Sequence, residues 1–321
     1  MATYKDIQGS NIPIRSSDPS NPILGEIWYN TTSGTLKGLI YNTAAFATGG
    51  TYSENARQVS QATTSATSGL AFAGCNVVPG AGRTTESNKY DGTSWTATPA
   101  VPTGTSGVGF GTPTAAILGG DNPGPFDAAY SWNDTSWTTI NPMASFNRTN
   151  SGAWGTQTAG MIAGGEPGSP SATSSREFDG TCFSAGPNTN VSMAGGGSGG
   201  GGASTGAILA GNPSTQFEEF SGTAFTASTA IPTQNAYGFS AGSDQDNFLS
   251  MGNLPGGSLL WNGSSWTTSA TLNSVRGSGA PNSGGTVTSA IVVGGFTPGT
   301  NYNTTEEYTG AGPATVTITS S

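Results

Sequence analysis

The sequence contains no histidine, and that absence alone removes much chemistry. Imidazole is the usual general base and metal ligand near neutral pH, so Ser-His-Asp and Cys-His machinery and histidine-ligated metal sites are excluded. Cysteine is nearly missing as well. Cys75 and Cys182 have neither a CxxC spacing nor a secretory context, and they read as two reduced thiols. Charge is scarce: 9 Lys+Arg and 18 Asp+Glu in 321 residues amount to 8 %, where an ordinary domain carries about 25 %. Only Lys5, Lys37 and Lys89 are lysines, the net charge is −9 and the pI is about 4.3. Such a chain neutralises few phosphates, so nucleic acid is not an expected partner. No apolar run approaches the roughly 18 residues of a membrane helix. The N-terminus, MATYKDIQGSNIPIR, lacks the apolar centre of a secretion signal. The expectation is a chain without leader or membrane span, made in the cytoplasm.

What replaces charge is Gly, Ser, Thr and Asn, a composition suited to short strands and tight turns and ill suited to helices. One phrase recurs: an aromatic, an Asn/Asp or small polar residue, Gly, two small residues, a second aromatic, then Thr or Ser. It reads YDGTSWT from Tyr90 to Trp95 and beyond, WNDTSWT from Trp132 through Trp137, and FDGTCFS from Phe178 through Phe183. FSGTAFT follows from Phe220 through Phe225 and WNGSSWT from Trp261 through Trp266. A weaker copy, YNTAAFA, links Tyr41 and Phe46, and a decayed one begins at Tyr308. The leading aromatics are 49, 42, 46, 42, 41 and 47 residues apart.

Between copies lies a second phrase, a short apolar run ending in small residues: GLAFAGC, TAAILGG, TAGMIAGG, TGAILAG, NFLSMGN and TSAIVVGG. These runs have strand length and no helical period. The Asx-Gly step between aromatics predicts a tight two-residue hairpin turn, with the aromatics paired across neighbouring strands. A period near 45 residues with four strands per repeat is the signature of an all-β propeller built of four-stranded antiparallel blades.

An apolar strand ending in Gly-Gly and followed by two spaced aromatics resembles the kelch repeat. It is carried here by Gly119, Gly120, Trp132 and Trp137, and by Gly164, Gly165, Phe178 and Phe183. The aromatic spacing is shorter than is usual for kelch and Phe often substitutes, so the resemblance is to a divergent kelch-like family over residues 50–321. Six apolar phrases predict six blades, with the Tyr41–Phe46 hairpin giving the outer strand of the last. The alternative is a seventh blade made from EIWYN, LKGLIYN and AAFAT. This divides the chain into residues 1–40, an extended segment and hairpin for attachment or closure, and residues 41–321, the propeller.

The N-terminal stretch SSDPSNPILGEIWYNTTSGTLKG resembles the start of structural and tail-fibre proteins of marine tailed phages, cyanophages in particular. The anchors are Pro22, Gly25, Trp28, Tyr29, Asn30, Gly34 and Leu36. The resemblance implies a virion component that contacts other virion proteins through this segment.

Candidate chemistry is thin, and no catalytic residue, cofactor or metal is expected. Asp91 directly precedes Gly92, which departs from the Ser-x-Asp-x-Gly-x-x-Trp box of sialidases, and no carboxylate pair is singled out for glycosidase work. SDQDN (243–247) and DNPGPFD (121–127) carry oxygen ligands but not the acid spacing of a calcium loop. Arg57, Arg148 and Arg276 occupy equivalent repeat positions, as do Glu177, Glu219 and Glu307. They are expected to form structural Arg–Glu pairs, the alternative being an arginine ring at one mouth of a channel. AGGGSGGGGAS (194–204) has linker composition and is expected to be a flexible loop, the alternative being an innermost strand, whose register it occupies. The expected function is binding without chemistry: a phage tail or tail-fibre protein that presents its propeller to a host-surface glycan or protein. A cellular kelch-type scaffold and a capsid decoration protein are the alternatives.

Overall fold

The computed structural model describes residues 11–76, 82–120, 128–143, 151–165, 173–193, 195–210, 214–234, 237–252, 257–277 and 285–319. Among them every regular element is a strand. The chain divides into two compact units, one of residues 1–44 with 310–321 and one of residues 45–309.

The larger unit contains six four-stranded antiparallel sheets. Sheet I is Ser60–Ser65, Ser68–Phe72, Ser87–Tyr90 and Trp95–Ala97. Sheet II is Val108–Thr112, Ala115–Gly119, Ala129–Trp132 and Trp137–Ile140. Sheet III is Gly152–Thr156, Ala159–Ala163, Ser175–Phe178 and Phe183–Gly186. Sheet IV is Gly195–Gly202, Thr205–Ala210, Phe217–Phe220 and Phe225–Ala227. Sheet V is Phe239–Asp244, Asn247–Met251, Leu259–Trp261 and Trp266–Thr268. Sheet VI is Gly285–Thr286, Ser289–Val293, Thr305–Thr309 and, from the other end of the sequence, Ala45–Thr48.

The apolar phrases are the second strands. Leu70, Ile117, Met161, Ile208, Leu249 and Ile291 on them are buried, and so are their strand neighbours Ala71, Leu118, Ile162, Leu209, Phe248 and Val292. Burial on both faces explains why these strands read as continuous hydrophobic runs instead of alternating ones. The core sits between sheets. Leu70 and Phe72 of sheet I share a cluster with Trp132 and Trp137 of sheet II, and Trp154 of sheet III shares one with Phe220 and Phe225 of sheet IV. Each fully buried large apolar side chain contributes about 1.5–3 kcal/mol. The first strand of each sheet contacts the first strand of the next, and that of sheet VI contacts that of sheet I.

The glycine tract forms a strand, Gly195–Gly202, so its linker composition misleads. Close approach is the reason. A Cβ on Gly200 would collide with Cδ1 of the buried Trp154, and one on Gly206 with its Nε1. Hydroxyls join the first strands laterally. Ser198 Oγ accepts the Ala153 N–H (2.8 Å) and donates to the Ala153 carbonyl (3.0 Å). Ser240 Oγ accepts the Ser198 N–H and donates to the Ser198 carbonyl, both at 2.8 Å.

The smaller unit is a sheet of Ile14–Arg15, Ile27–Asn30, Thr35–Asn42 and Gly312–Thr317 in that order. Ile14–Arg15 runs parallel to Ile27–Asn30, and the other pairs are antiparallel. A boundary at residue 40 therefore cuts a strand, which continues to Asn42 because Tyr41 and Asn42 pair with Pro313 and Gly312. The C-terminal strand belongs to this unit and not to the repeats. Asp18 is its polar centre: its carboxylate accepts the Trp28 indole N–H (3.0 Å), the Asn30 amide (2.7 Å) and the Lys37 ammonium (2.7 Å).

Candidate functional site

The recurrent aromatics sit directly opposite each other at the hairpin joining the third and fourth strands. Tyr90–Trp95, Trp132–Trp137, Phe178–Phe183, Phe220–Phe225 and Trp261–Trp266 have ring centroids 4.7–5.4 Å apart. In sheet VI the pair is Phe46 with Tyr308 at 5.1 Å, made by residues far apart in sequence. Tyr41 is not an anchor: it lies in the smaller unit, is 61 % exposed and faces Pro313. The resemblance of YNTAAFA to the repeat arises because Tyr41 and Phe46 flank the passage from one unit to the other.

The turns differ from the expected two-residue form. Four residues separate the paired aromatics, and the Asx side chain takes over as acceptor. Asp91 Oδ1 accepts the N–H of Thr93 and Ser94, both at 2.8 Å. Asn133, Asp179 and Asn262 repeat the arrangement. The next residue takes positive φ, +92° at Gly92 and 78° at Asp134, which stands where the other copies have glycine. Asp134 in turn pairs with Lys89 of sheet I. Backbone N–H donors hold the Asp91 and Asp179 carboxyls below the usual range, and the Asp179 charge pushes the Cys182 thiol up.

Among the described residues, no arginine of the expected set pairs with Glu177, Glu219 or Glu307. Arg276 is fully buried and its carboxylate is Glu306, not Glu307. Successive strand residues point to opposite faces, so a one-residue difference selects a different neighbour. Arg276 Nε also donates to the Gly294 carbonyl (2.6 Å), and Glu306 accepts the N–H of Asn273 (2.6 Å) and Ser274 (3.1 Å). Burial lowers the Arg276 pKa and the Glu306 charge opposes that shift. Arg57 lies over the Phe296 ring at 5.2 Å, and Arg148 falls outside the described residues. Glu219 accepts the Trp261 indole N–H (2.8 Å) and the Ser228 hydroxyl (3.2 Å). Glu177 lies on the third strand of sheet III, opposite Ser184 and Met161. Two buried acids went unnoticed in the sequence, Glu306 and its counterpart Glu218. Glu218 accepts the N–H of Asn190 (3.0 Å) and Val191 (3.2 Å) and the Asn190 side-chain amide (3.0 Å). The doublet Glu-Glu-aromatic, present in FEEF and TEEY, was the available signal.

A cleft of about 310 Å³ lies between sheets I and VI, lined by Thr48, Gly49, Gly50, Tyr90, Gly92, Thr93 and Glu307. The Tyr90 hydroxyl donates to Glu307 Oε1 (2.6 Å) and accepts the Gly50 N–H (3.0 Å). Burial, followed by the bond to Glu307, pushes its pKa up to about 12, so at neutral pH it is a fixed donor. Beside it, the Trp95 indole donates to Thr305 Oγ1 (2.8 Å). The set offers hydrogen bonding and a carboxylate, with no activated nucleophile. Of the oxygen-rich loops, 243–247 is an Asx turn in which Asp244 Oδ1 accepts the Asp246 N–H (2.9 Å), and 121–127 lies outside the described residues.

With this geometry in view, one solved structure is informative. The chain shares its fold with YjhT. The two are 14 % identical with a TM-score of 0.60, over 83 % of this chain and 99 % of that one. At that identity the likeness is one of fold alone. No family model matches the chain, and no curated protein matches it.

Proposed function

We propose that this chain is a structural protein of a tailed-phage particle, in the tail or its fibres, that presents a six-bladed kelch-like propeller for recognition of a host-surface glycan or protein. In this reading sheets I–VI are the blades, and Ala45–Thr48 closes the circle as the outer strand of the last. The run of first-strand contacts from sheet I to sheet VI and back to sheet I supports it. The smaller unit is the attachment module toward other virion proteins.

The observation that carries the proposal is that the phage-like phrase builds this unit. Trp28 and Asn30, two of its anchors, are buried and hydrogen-bonded to Asp18, at the start of the same stretch. The protein acts by binding, with no chemistry, in keeping with a sequence that has no histidine. Binding falls to the loops at the ends of the blades, since the paired aromatics are committed to the scaffold. Antibody labelling of purified particles followed by cryo-electron microscopy tests the reading. Label on the tail or fibres is the expected result. Label on the head makes the chain a capsid decoration protein, and protein found only in cells free of particles overturns the virion assignment in favour of a cellular scaffold.

A further inference from the structure

Two seams of the larger unit carry the same carboxylate, and only one of them is filled. Glu219 accepts the Trp261 indole N–H (2.8 Å) and Glu307 accepts the Tyr90 hydroxyl (2.6 Å), each from the leading aromatic of a neighbouring sheet. Beside Glu219, the Ser228 hydroxyl donates a second bond to the same oxygen (3.2 Å). Gly49 stands in the place of Ser228 at the other seam. The N–H groups of Ser228 and Gly49 donate to the carbonyls of Phe217 and Thr305, both at 2.9 Å, and those residues directly precede the two Glu-Glu doublets. Residue 49 therefore offers Glu307 no side chain, and Gly50 and Gly92 add none, which leaves the cleft of about 310 Å³ between sheets I and VI open. Among the described residues Glu307 Oε2 has no hydrogen-bond partner, and neither do the hydroxyls of Thr48 and Thr93, which also line the cleft. In two other hairpins the hydroxyl in the place of Thr93 is engaged: Thr135 donates to Asn133 (2.9 Å) and Ser264 to Asn262 (3.0 Å).

We propose that this cleft binds one uncharged sugar unit, with Glu307 Oε2 and the Thr48 and Thr93 hydroxyls as its polar contacts. The inference rests on the glycan-recognition reading above and gives it a place and a ligand class. Its chemistry selects the occupant. Tyr90 is held from two sides, donating to Glu307 Oε1 and accepting the Gly50 N–H (3.0 Å), so the carboxylate presents its second oxygen in a fixed direction. Sugar hydroxyls donate to a carboxylate oxygen through charge-assisted bonds, and they match threonine hydroxyls because both groups donate and accept. An acidic sugar would meet Glu307 with no basic residue in the lining to offset the repulsion. An alkylamine would bring a hydrocarbon stem, and the ring of Tyr90, itself buried, is the one large apolar group there. The volume stands at the lower end of small-molecule sites, roughly 300–1,000 Å³, which suits a single ring and not a chain of them.

The test is an NMR titration of the full 15N-labelled chain with the methyl glycosides of glucose, galactose and mannose in the millimolar range. At least one of the three should shift the backbone N–H resonances of Gly50, Gly92 and Thr93 saturably, while Gly263, in the corresponding hairpin of sheet V, stays in place. Thr48→Val/Thr93→Val removes two hydroxyls at nearly constant shape and should weaken binding about tenfold or more. Thr135→Val, the same turn position in sheet II, should bind as wild type. Should the double variant fail to fold, Glu307→Gln serves instead, turning the free acceptor into a donor with the same expected loss. No shift with any of the three sugars overturns the inference, as does a shift of Gly263 equal to that of Gly92, or a double variant that binds as wild type. Butylammonium producing the shifts that no sugar produces makes the cleft a cation site and overturns it too. The virion reading is read out on particles: a tail-labelled chain that ignores all three sugars removes this cleft alone, and a chain absent from particles that binds one removes the virion assignment alone.

Discussion

Glu306 and Glu218 occupy the same place in two sheets, two residues before the leading aromatic, and differ in their third partner, the Asn190 side-chain amide for Glu218 and Arg276 for Glu306. Both are buried and both accept two backbone N–H groups from the connection that leads into their sheet. Only Glu306 also faces a buried arginine. The substitution Glu→Gln at each site is therefore a controlled pair. At position 218 the amide oxygen keeps the two Asn190 donors while the NH2 group faces the Val191 N–H, so the loss is the charge assistance and one hydrogen bond, about 1–2 kcal/mol. At position 306 the same change leaves Arg276 with its full charge in the interior and an amide in place of its carboxylate, which costs about 3–5 kcal/mol. For a unit of this size each kcal/mol moves the unfolding midpoint by about 2–4 °C. Glu306→Gln should then melt about 10 °C below wild type and Glu218→Gln only about 3–4 °C below. Differential scanning calorimetry with urea titrations on both variants measures the difference.

A third variant separates the ion pair from simple loss of fit. Arg276→Met/Glu306→Met removes both charges, and replacing a buried pair by apolar groups is often close to neutral. The double variant should be more stable than Glu306→Gln alone, and the single variants Arg276→Met and Glu306→Met close the cycle that gives the coupling term. Equal midpoints for Glu306→Gln and Glu218→Gln would refute the reasoning, as would a double variant less stable than the single one.

Three further outcomes follow from the same geometry. Asp18 is held down to about 2 by Lys37, then Asn30 and Trp28. Because the folded value lies below the ordinary 3.8, its contribution is whole above that value and is lost as pH falls through about 2. The Trp28 indole N–H resonance should titrate near pH 2 and lose that step in Asp18→Asn, and a midpoint at the ordinary 3.8 would contradict the hydrogen-bond assignment. Gly206→Ala places a methyl on the Trp154 ring and should destabilise by about 1–3 kcal/mol, with partial recovery when Trp154→Phe makes room, and additive losses would show that the two do not touch. Trp132→Ala should cost about 3–5 kcal/mol while Tyr41→Ala stays within about 0.5 kcal/mol, and chemical denaturation of the two variants decides whether only the first is an anchor.

How far the sequence discloses such a structure depends on whether the signal is local. The hairpin aromatics are legible because each pair is separated by four residues, and cross-strand contact follows from the turn between them. The second strands are legible because burial on both faces leaves a run of Ala, Ile, Leu, Val and Met that no other position of the repeat tolerates. Phe46 is the instructive intermediate. Its ring has a partner 262 positions away in Tyr308, so its neighbour in sequence, Tyr41, looks like the mate and is not.

Where the relevant contact crosses between sheets or between chain ends, residue types alone carry composition without direction. Glu306 and Glu307 are chemically identical and adjacent, yet one meets Arg276 inside and the other the Tyr90 hydroxyl of a different sheet. Only the strand's facing, fixed by its register with Ser289–Val293, separates them. Gly195–Gly202 shows the same limit from the other side. Its residues resemble a linker because the feature that makes glycine necessary, the Trp154 ring against Gly200 and Gly206, belongs to the preceding repeat. A repeat protein therefore discloses its period through what each unit does to itself. The chemistry that distinguishes one unit from the next is set at the seams, which is where Glu306, Arg276 and Tyr90 all lie.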